Sequence, residues 1–119
     1  MVIDSYINKD GLEIFHEVQL DKVVADVRYP MQLQEYWYYI KDKQKIYHRD
    51  DNLPCFLGGL QNGGSRNTYY RYHGKFHRTN GAARVLYTGQ KFYYINGVRL
   101  RHITNDIELE AYIKYLPFI

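Results

Sequence analysis

Two tracts carry the side chains best suited to chemistry. "IYHRDDNLPC" runs from Ile46 to Cys55 and "KFHRTNGAA" from Lys75 to Ala83, and each writes aromatic, histidine, arginine, then polar residues and a turn. The pairs His48-Arg49 and His77-Arg78 suit a repeated anion or nucleotide site, because guanidinium groups make bidentate bonds to phosphate and carboxylate. Metal binding would need His73 and His77 to converge with His48 or Cys55. A spacing of four brings two histidines to one face only in a helix, and Gly74 lies between these two in a segment that reads as a hairpin. Cys55 as a nucleophile would need a paired base and an activating environment. In "LPCFL" it reads instead as a small residue filling a core. Recurrence itself argues against catalysis, since one active site needs one constellation. A structural role explains both copies: each histidine packs under the next hairpin and bonds a backbone carbonyl, and each arginine stacks on a neighbouring tyrosine. No catalytic residue, cofactor or metal site is expected.

The elements that would position these tracts repeat with them. Trp37, Tyr70 and Tyr93 each open an aromatic, strand-like run. Tyr70 and Tyr93 each lie three residues before a polar-Gly pair, His73-Gly74 and Asn96-Gly97. Asn-Gly is a strong signal for a two-residue hairpin turn, which needs positive φ at both positions. In the first unit the turn, Lys41 to Lys45, reads as longer and lacks glycine. Arg49, Arg78 and Arg101 mark the same place in three units, spaced 29 and 23 residues apart. The extra length falls in the Gly-rich loop "LGGLQNGGSRN", Leu57 to Asn67, which has no phosphate-cradling spacing before a helix and reads as a linker or a binding loop. After each basic pair Gly81, or Asn52 with Leu53-Pro54, breaks the strand. A short strand follows, Ala83 to Tyr87 or Cys55 to Leu57.

Upstream, "VIDSYI" and "LEIFHEVQL" flank Asn8 to Gly11 and read as a hairpin. Residues 21–30 are expected to be strand rather than helix, ended by Pro30. At the other end Asn105 and Glu108 have capping-box spacing. Leu109, Tyr112, Ile113 and Leu116 share one helical face, and Pro117 stops the pattern. The fold class expected is mainly β: stacked antiparallel β-hairpin repeats with one C-terminal α-helix. One domain is expected over 1–119, with an N-terminal β segment at 1–34, hairpin repeats at 35–104 and a capping helix at 105–117.

Composition agrees. Of 119 residues, 14 are tyrosine and 17% are aromatic, which suits a sheet that is apolar at the ring and wet at the hydroxyl. The net charge of +3 falls short of a dedicated polyanion binder. A single cysteine permits no intramolecular disulfide and suits a reducing compartment. No run has the length of a membrane span and the N-terminus lacks the pattern of a signal peptide, so no membrane partner is expected and a cytoplasmic location is.

The pattern of an aromatic, two residues, Asn-Gly, two residues, His-Arg, two residues and Gly-Pro-Ala resembles a MORN-like repeat of bacteriophage and giant-virus proteins. The likeness covers Trp37 to about Arg101. It rests on Trp37, His48, Arg49 and Pro54 in unit one and on Tyr70, Gly74, His77, Arg78, Gly81 and Ala83 in unit two. In unit three it rests on Tyr93, Asn96 and Gly97, after which Leu100 replaces the histidine, as suits a terminal repeat handing over to a cap. The resemblance implies stacked hairpins and a viral setting, and no activity.

The expected function is therefore binding. The sharper form is a phage accessory protein that binds and inhibits a host protein of bacterial defence, acting in the host cytoplasm. The binding surface is placed at Tyr38, Tyr70, Arg71, Tyr72, Tyr94 and Arg99. The alternatives are a binder of single-stranded nucleic acid or nucleotides, since "YYRYHGKFHR" interleaves rings and bases, and a structural or assembly component of a virus.

Overall fold

The computed structural model describes residues 1–20, 33–60 and 65–116. The expected strand at 21–30, the centre of the Gly-rich loop and Pro117 lie outside the described residues. The described chain is mainly β, built from antiparallel pairings, with one C-terminal helix.

An N-terminal hairpin pairs β1 (Val2–Ile7) with β2 (Glu13–Leu20). Asn8 closes its turn, its side-chain oxygen accepting from the amides of Asp10 and Leu12 at 3.0 and 2.9 Å. This is the local competition with regular structure that makes asparagine a turn residue. Strand β2 then pairs with β3 (Leu33–Lys41), from Phe15 opposite Tyr38 to Leu20 opposite Leu33.

From β3 onward one unit recurs. The first half of an aromatic strand joins the main sheet, and the second half folds back as a hairpin. In unit one β3 returns as β4 (Gln44–Tyr47), and the chain then adds β5 (Phe56–Leu57) beside Glu35 and Tyr36. In unit two β6 (Thr68–Tyr69) lies beside β5. Strands β7 (Arg71–Tyr72) and β8 (Lys75–Phe76) make the hairpin, and β9 (Arg84–Val85) returns to the sheet. Unit three repeats this with β10 (Lys91–Phe92), β11 (Tyr94–Ile95) and β12 (Val98–Arg99). The main sheet therefore runs β1-β2-β3-β5-β6-β9-β10, with β4 on β3.

The same backbone bonds recur between units. Trp37 N donates to Cys55 O at 2.8 Å and Tyr70 N to Ala83 O at 2.7 Å. His48 N, His77 N and Leu100 N donate to Trp37 O, Tyr70 O and Tyr93 O. Gly74 N donates to Tyr47 O and Gly97 N to Phe76 O, both at 2.8 Å, so each hairpin turn rests on the preceding hairpin.

The first hairpin corrects one expectation. Its turn is not longer: Asp42 and Lys43 make a two-residue turn with φ of 52° and 64°, matching 50° and 82° at His73-Gly74 and 48° and 83° at Asn96-Gly97. The additional residues lengthen the two strands instead. Of the six extra residues between Arg49 and Arg78, five lie in the Gly-rich loop and one in the turn before Pro54. The loop joins two paired strands, and Gly58 N donates to Asn67 O at 2.8 Å across its base.

Helix α1 (Asp106–Lys114) begins at Asn105, whose side chain accepts from Glu108 N. Glu108 reaches back to the Thr104 amide at 3.1 Å. Leu109 is buried, and with Tyr112 and Ile113 it packs on Tyr93, Ile95, Leu100 and Ile103. The regular helix ends at Lys114, short of the 117 expected. A second apolar cluster joins Ile14, Trp37, Tyr39 and Cys55 at the other end of the repeats.

Candidate binding face

The histidines of the two tracts are committed to the fold. His48 is fully buried, and its Nδ1 accepts from the backbone N–H of His73 at 2.9 Å. His77 Nδ1 accepts from the backbone N–H of Asn96 at the same distance. In both cases the donor is the first residue of the next hairpin's turn. The bond is to an amide rather than to the expected carbonyl, because the turn directs a spare N–H at the ring. A backbone N–H only donates, so the Nδ1 lone pair faces it and the His48 proton sits on Nε2, which donates to Asp50 Oδ1 at 3.0 Å. Burial lowers the pKa of both histidines, and for His48 the neighbouring Asp50 opposes this in part.

The arginines are clamps. Arg49 lies 4.0 Å above the Trp37 ring and donates to Pro54 O at 3.1 Å. Arg78 lies 4.0 Å above the Tyr70 ring and donates to Ala82 O at 3.1 Å. A Cβ on Gly81 would come within 2.8 Å of the Arg78 guanidinium, so a side chain there would have to displace the clamp. Unit three is followed by α1. Leu100 takes the histidine's place and joins the core under α1, while Tyr93 is covered by the helix and donates to Asp106 at 2.7 Å.

Residues one place before or after these clamped rings face the other way, by strand alternation. They form two rows. The cross-strand register aligns Tyr36, Phe56, Tyr69, Arg84 and Phe92 in the main sheet. Ring centroids are 5.0 Å apart for Tyr36–Phe56 and for Phe56–Tyr69, and Arg84 bridges Tyr69 and Phe92 at 5.7 and 5.4 Å. The hairpins supply the second row, pairing Tyr38 with Tyr47, Arg71 with Phe76 and Tyr94 with Arg99. Arg71 lies 4.4 Å over Phe76, whose ring is 5.0 Å from Tyr94. Tyr36–Tyr47, Tyr69–Phe76 and Arg99–Phe92 join the rows. These side chains are half-buried, apart from exposed Arg99 and buried Tyr38.

Between the rows lies a cleft of about 180 Å³, lined by Tyr36, Tyr47, Cys55, Phe56, Tyr69 and Arg71. Its floor is apolar. Cys55 is buried, its Sγ 3.5 Å from Tyr69 O, and burial pushes the thiol up to about 11, which leaves it protonated and unreactive. Among the described residues no group of three or more His, Cys, Asp or Glu could hold a metal ion.

The six residues placed at the surface from sequence do not share one face. Arg71, Tyr94 and Arg99 belong to the rows. Tyr38 belongs to them by register but is only 3% exposed, sealed by a hydrogen bond to Glu17. Tyr70 lies under Arg78 on the opposite face, and Tyr72 packs there on His48, 4.7 Å between ring centroids. Alternation explains the split, since Tyr70, Arg71 and Tyr72 are consecutive. Tyr36, Tyr69 and Phe92 were missed, although each is the aromatic immediately before Trp37, Tyr70 or Tyr93. Those doublets were the available signal.

No family model, curated protein or solved structure matches the chain. No helix among the described residues is long and apolar enough to cross a membrane.

Proposed function

We propose that this chain is a non-enzymatic binding protein that engages a partner protein through the aromatic and arginine face. The observation that carries the reading is the pair of rows. Rings and guanidinium groups, most of them half-buried, run across three units on the face turned away from the clamped rings and α1. Aromatic and arginine side chains in such settings dominate interface energetics. The histidines that would serve chemistry are spent on hydrogen bonds that stack one hairpin on the next, which favours binding over catalysis. The resemblance of the repeat to viral ones favours a host protein as the partner, with a bacterial defence protein as its sharpest form.

The test is affinity capture from bacterial lysate with and without nuclease, using the wild type and an Arg71→Gln/Arg99→Gln variant. A stoichiometric protein that survives nuclease and is lost with the variant is the expected result. A protein retained by the variant would remove the face from the mechanism. Single-stranded nucleic acid is the second reading, favoured by the alternation of rings and guanidinium groups. It predicts a nuclease-sensitive capture whose affinity falls steeply with salt.

A further inference from the structure

We infer that the segment this face captures is acidic, with one apolar side chain as its anchor; the inference rests on the binding reading above. Three guanidinium groups stand on the face: Arg71, Arg84 and Arg99. Among the described residues none of them lies within salt-bridge distance of a carboxylate, and the Arg84 Nε is buried without a hydrogen-bond partner. Arg49 and Arg78, on the opposite face, each have a carbonyl to bond. The three on the binding face have rings beneath them instead.

Arg71 lies 4.4 Å over Phe76, Arg99 lies 4.7 Å over Phe92, and Arg84 lies between Tyr69 and Phe92. The planar guanidinium groups of Arg71 and Arg99, each stacked on a ring, offer the fork that receives a carboxylate in bidentate fashion, and Arg84 adds its charge between them. The stacking has a second consequence. It covers the faces of Phe76 and Phe92 on which a nucleobase would otherwise stack, unlike the open platforms of single-strand binders. The cleft beside Arg71 is apolar within and has room for one large side chain. An apolar anchor in the cleft, with carboxylates to either side along the rows, matches both the shape and the charge of this surface.

The experiment is a selection of displayed random peptides on the purified chain, followed by titration of the enriched peptides and of oligo-dT. Enrichment of sequences with an apolar residue between Asp or Glu residues is expected. Such peptides should lose about tenfold or more in affinity with Arg71→Gln/Arg99→Gln. Arg71→Lys, which keeps the charge and removes the fork, should weaken them as well. Thermal midpoints of the variants check folding. No enrichment, enriched sequences without carboxylates, or oligo-dT bound as tightly as the peptides would each overturn the inference. A lysate partner lost with the double variant, together with peptides lacking carboxylates, would leave the binding reading standing and remove the acidic segment alone.

Discussion

His48 Nδ1 lies 2.9 Å from the backbone N–H of His73, and this bond holds one hairpin against the next. Its copy, His77 Nδ1 to Asn96 N, repeats at the same distance. The repeat therefore encodes its own stacking: each unit supplies an acceptor under the first turn residue of its successor. Unit three is followed by α1 instead, and there leucine stands at position 100. Leucine cannot do this work in the earlier units. His48→Leu and His77→Leu each leave a turn amide without its partner, and His48→Leu also strands Asp50 Oδ1. His48→Leu should lower stability by roughly 1–3 kcal/mol, and His77→Leu by about 1 kcal/mol, because the Asn96 amide is exposed and water can replace the ring there. Urea denaturation of the two variants and the wild type measures this. Equal stability would show that the amides find other acceptors.

The clamp and its glycine should behave as one unit. Arg78 sits on Tyr70 and fills the space that a side chain at position 81 would need. Gly81→Ala should expel the guanidinium, with the loss of a cation–π contact and a hydrogen bond, together about 1–2 kcal/mol. In an Arg78→Met background the same change should matter far less. A double-mutant cycle from thermal or urea midpoints reads the coupling. Additive effects would mean that the glycine acts through its backbone alone.

The Asp42-Lys43 turn holds two non-glycine residues at positive φ, where the other two hairpins have glycine second. Lys43→Gly removes steric strain from a left-handed residue, offset in part by the greater freedom of glycine when unfolded. Its net effect should be stabilising by a few tenths to about 1 kcal/mol. Gly97→Ala, the reverse change at the equivalent site, should destabilise. A rise in the urea midpoint for the first and a fall for the second is the expected pair. A fall for both would mean that Lys43 makes contacts worth more than its strain.

These contrasts show what could be read from the chain. Asn96-Gly97 announced its hairpin, and Asn105 with Glu108 announced the helix, because in each a local rule fixes the backbone. Asp42-Lys43 obeys the same geometry without the residues that signal it, so that turn read as a long loop. The aromatic and arginine face was harder. Strands β5, β6, β9 and β10 are two residues each, too short for alternation to show inside them. The row from Tyr36 to Phe92 exists only through pairing between distant segments. Alternation within the consecutive residues Tyr70, Arg71 and Tyr72 puts Arg71 opposite both neighbours.

Acid should destabilise the protein in two stages set by different groups. His48 and His77 are held below the ordinary 6.5, first of all by burial. The unfolded chain therefore binds more protons below that value, and the stability they contribute is present above 6.5 and lost as pH falls through it. Glu17 acts lower. Its burial alone would raise the pKa, but hydrogen bonds from Gln19, Tyr38 and Lys45 outweigh it and hold the carboxyl at about 2 against an ordinary 4.5. The stability it contributes, roughly 3 kcal/mol at neutral pH, is present above 4.5 and is lost between 4.5 and about 2. Urea midpoints measured from pH 8 to 2 should therefore fall first near 6.5 and again below 4.5. His77→Leu should shrink the first fall, and Glu17→Gln should remove much of the second. Stability that rises as the pH is lowered from 7 to 5 would contradict neutral, amide-bonded histidines and the stacking bond they make.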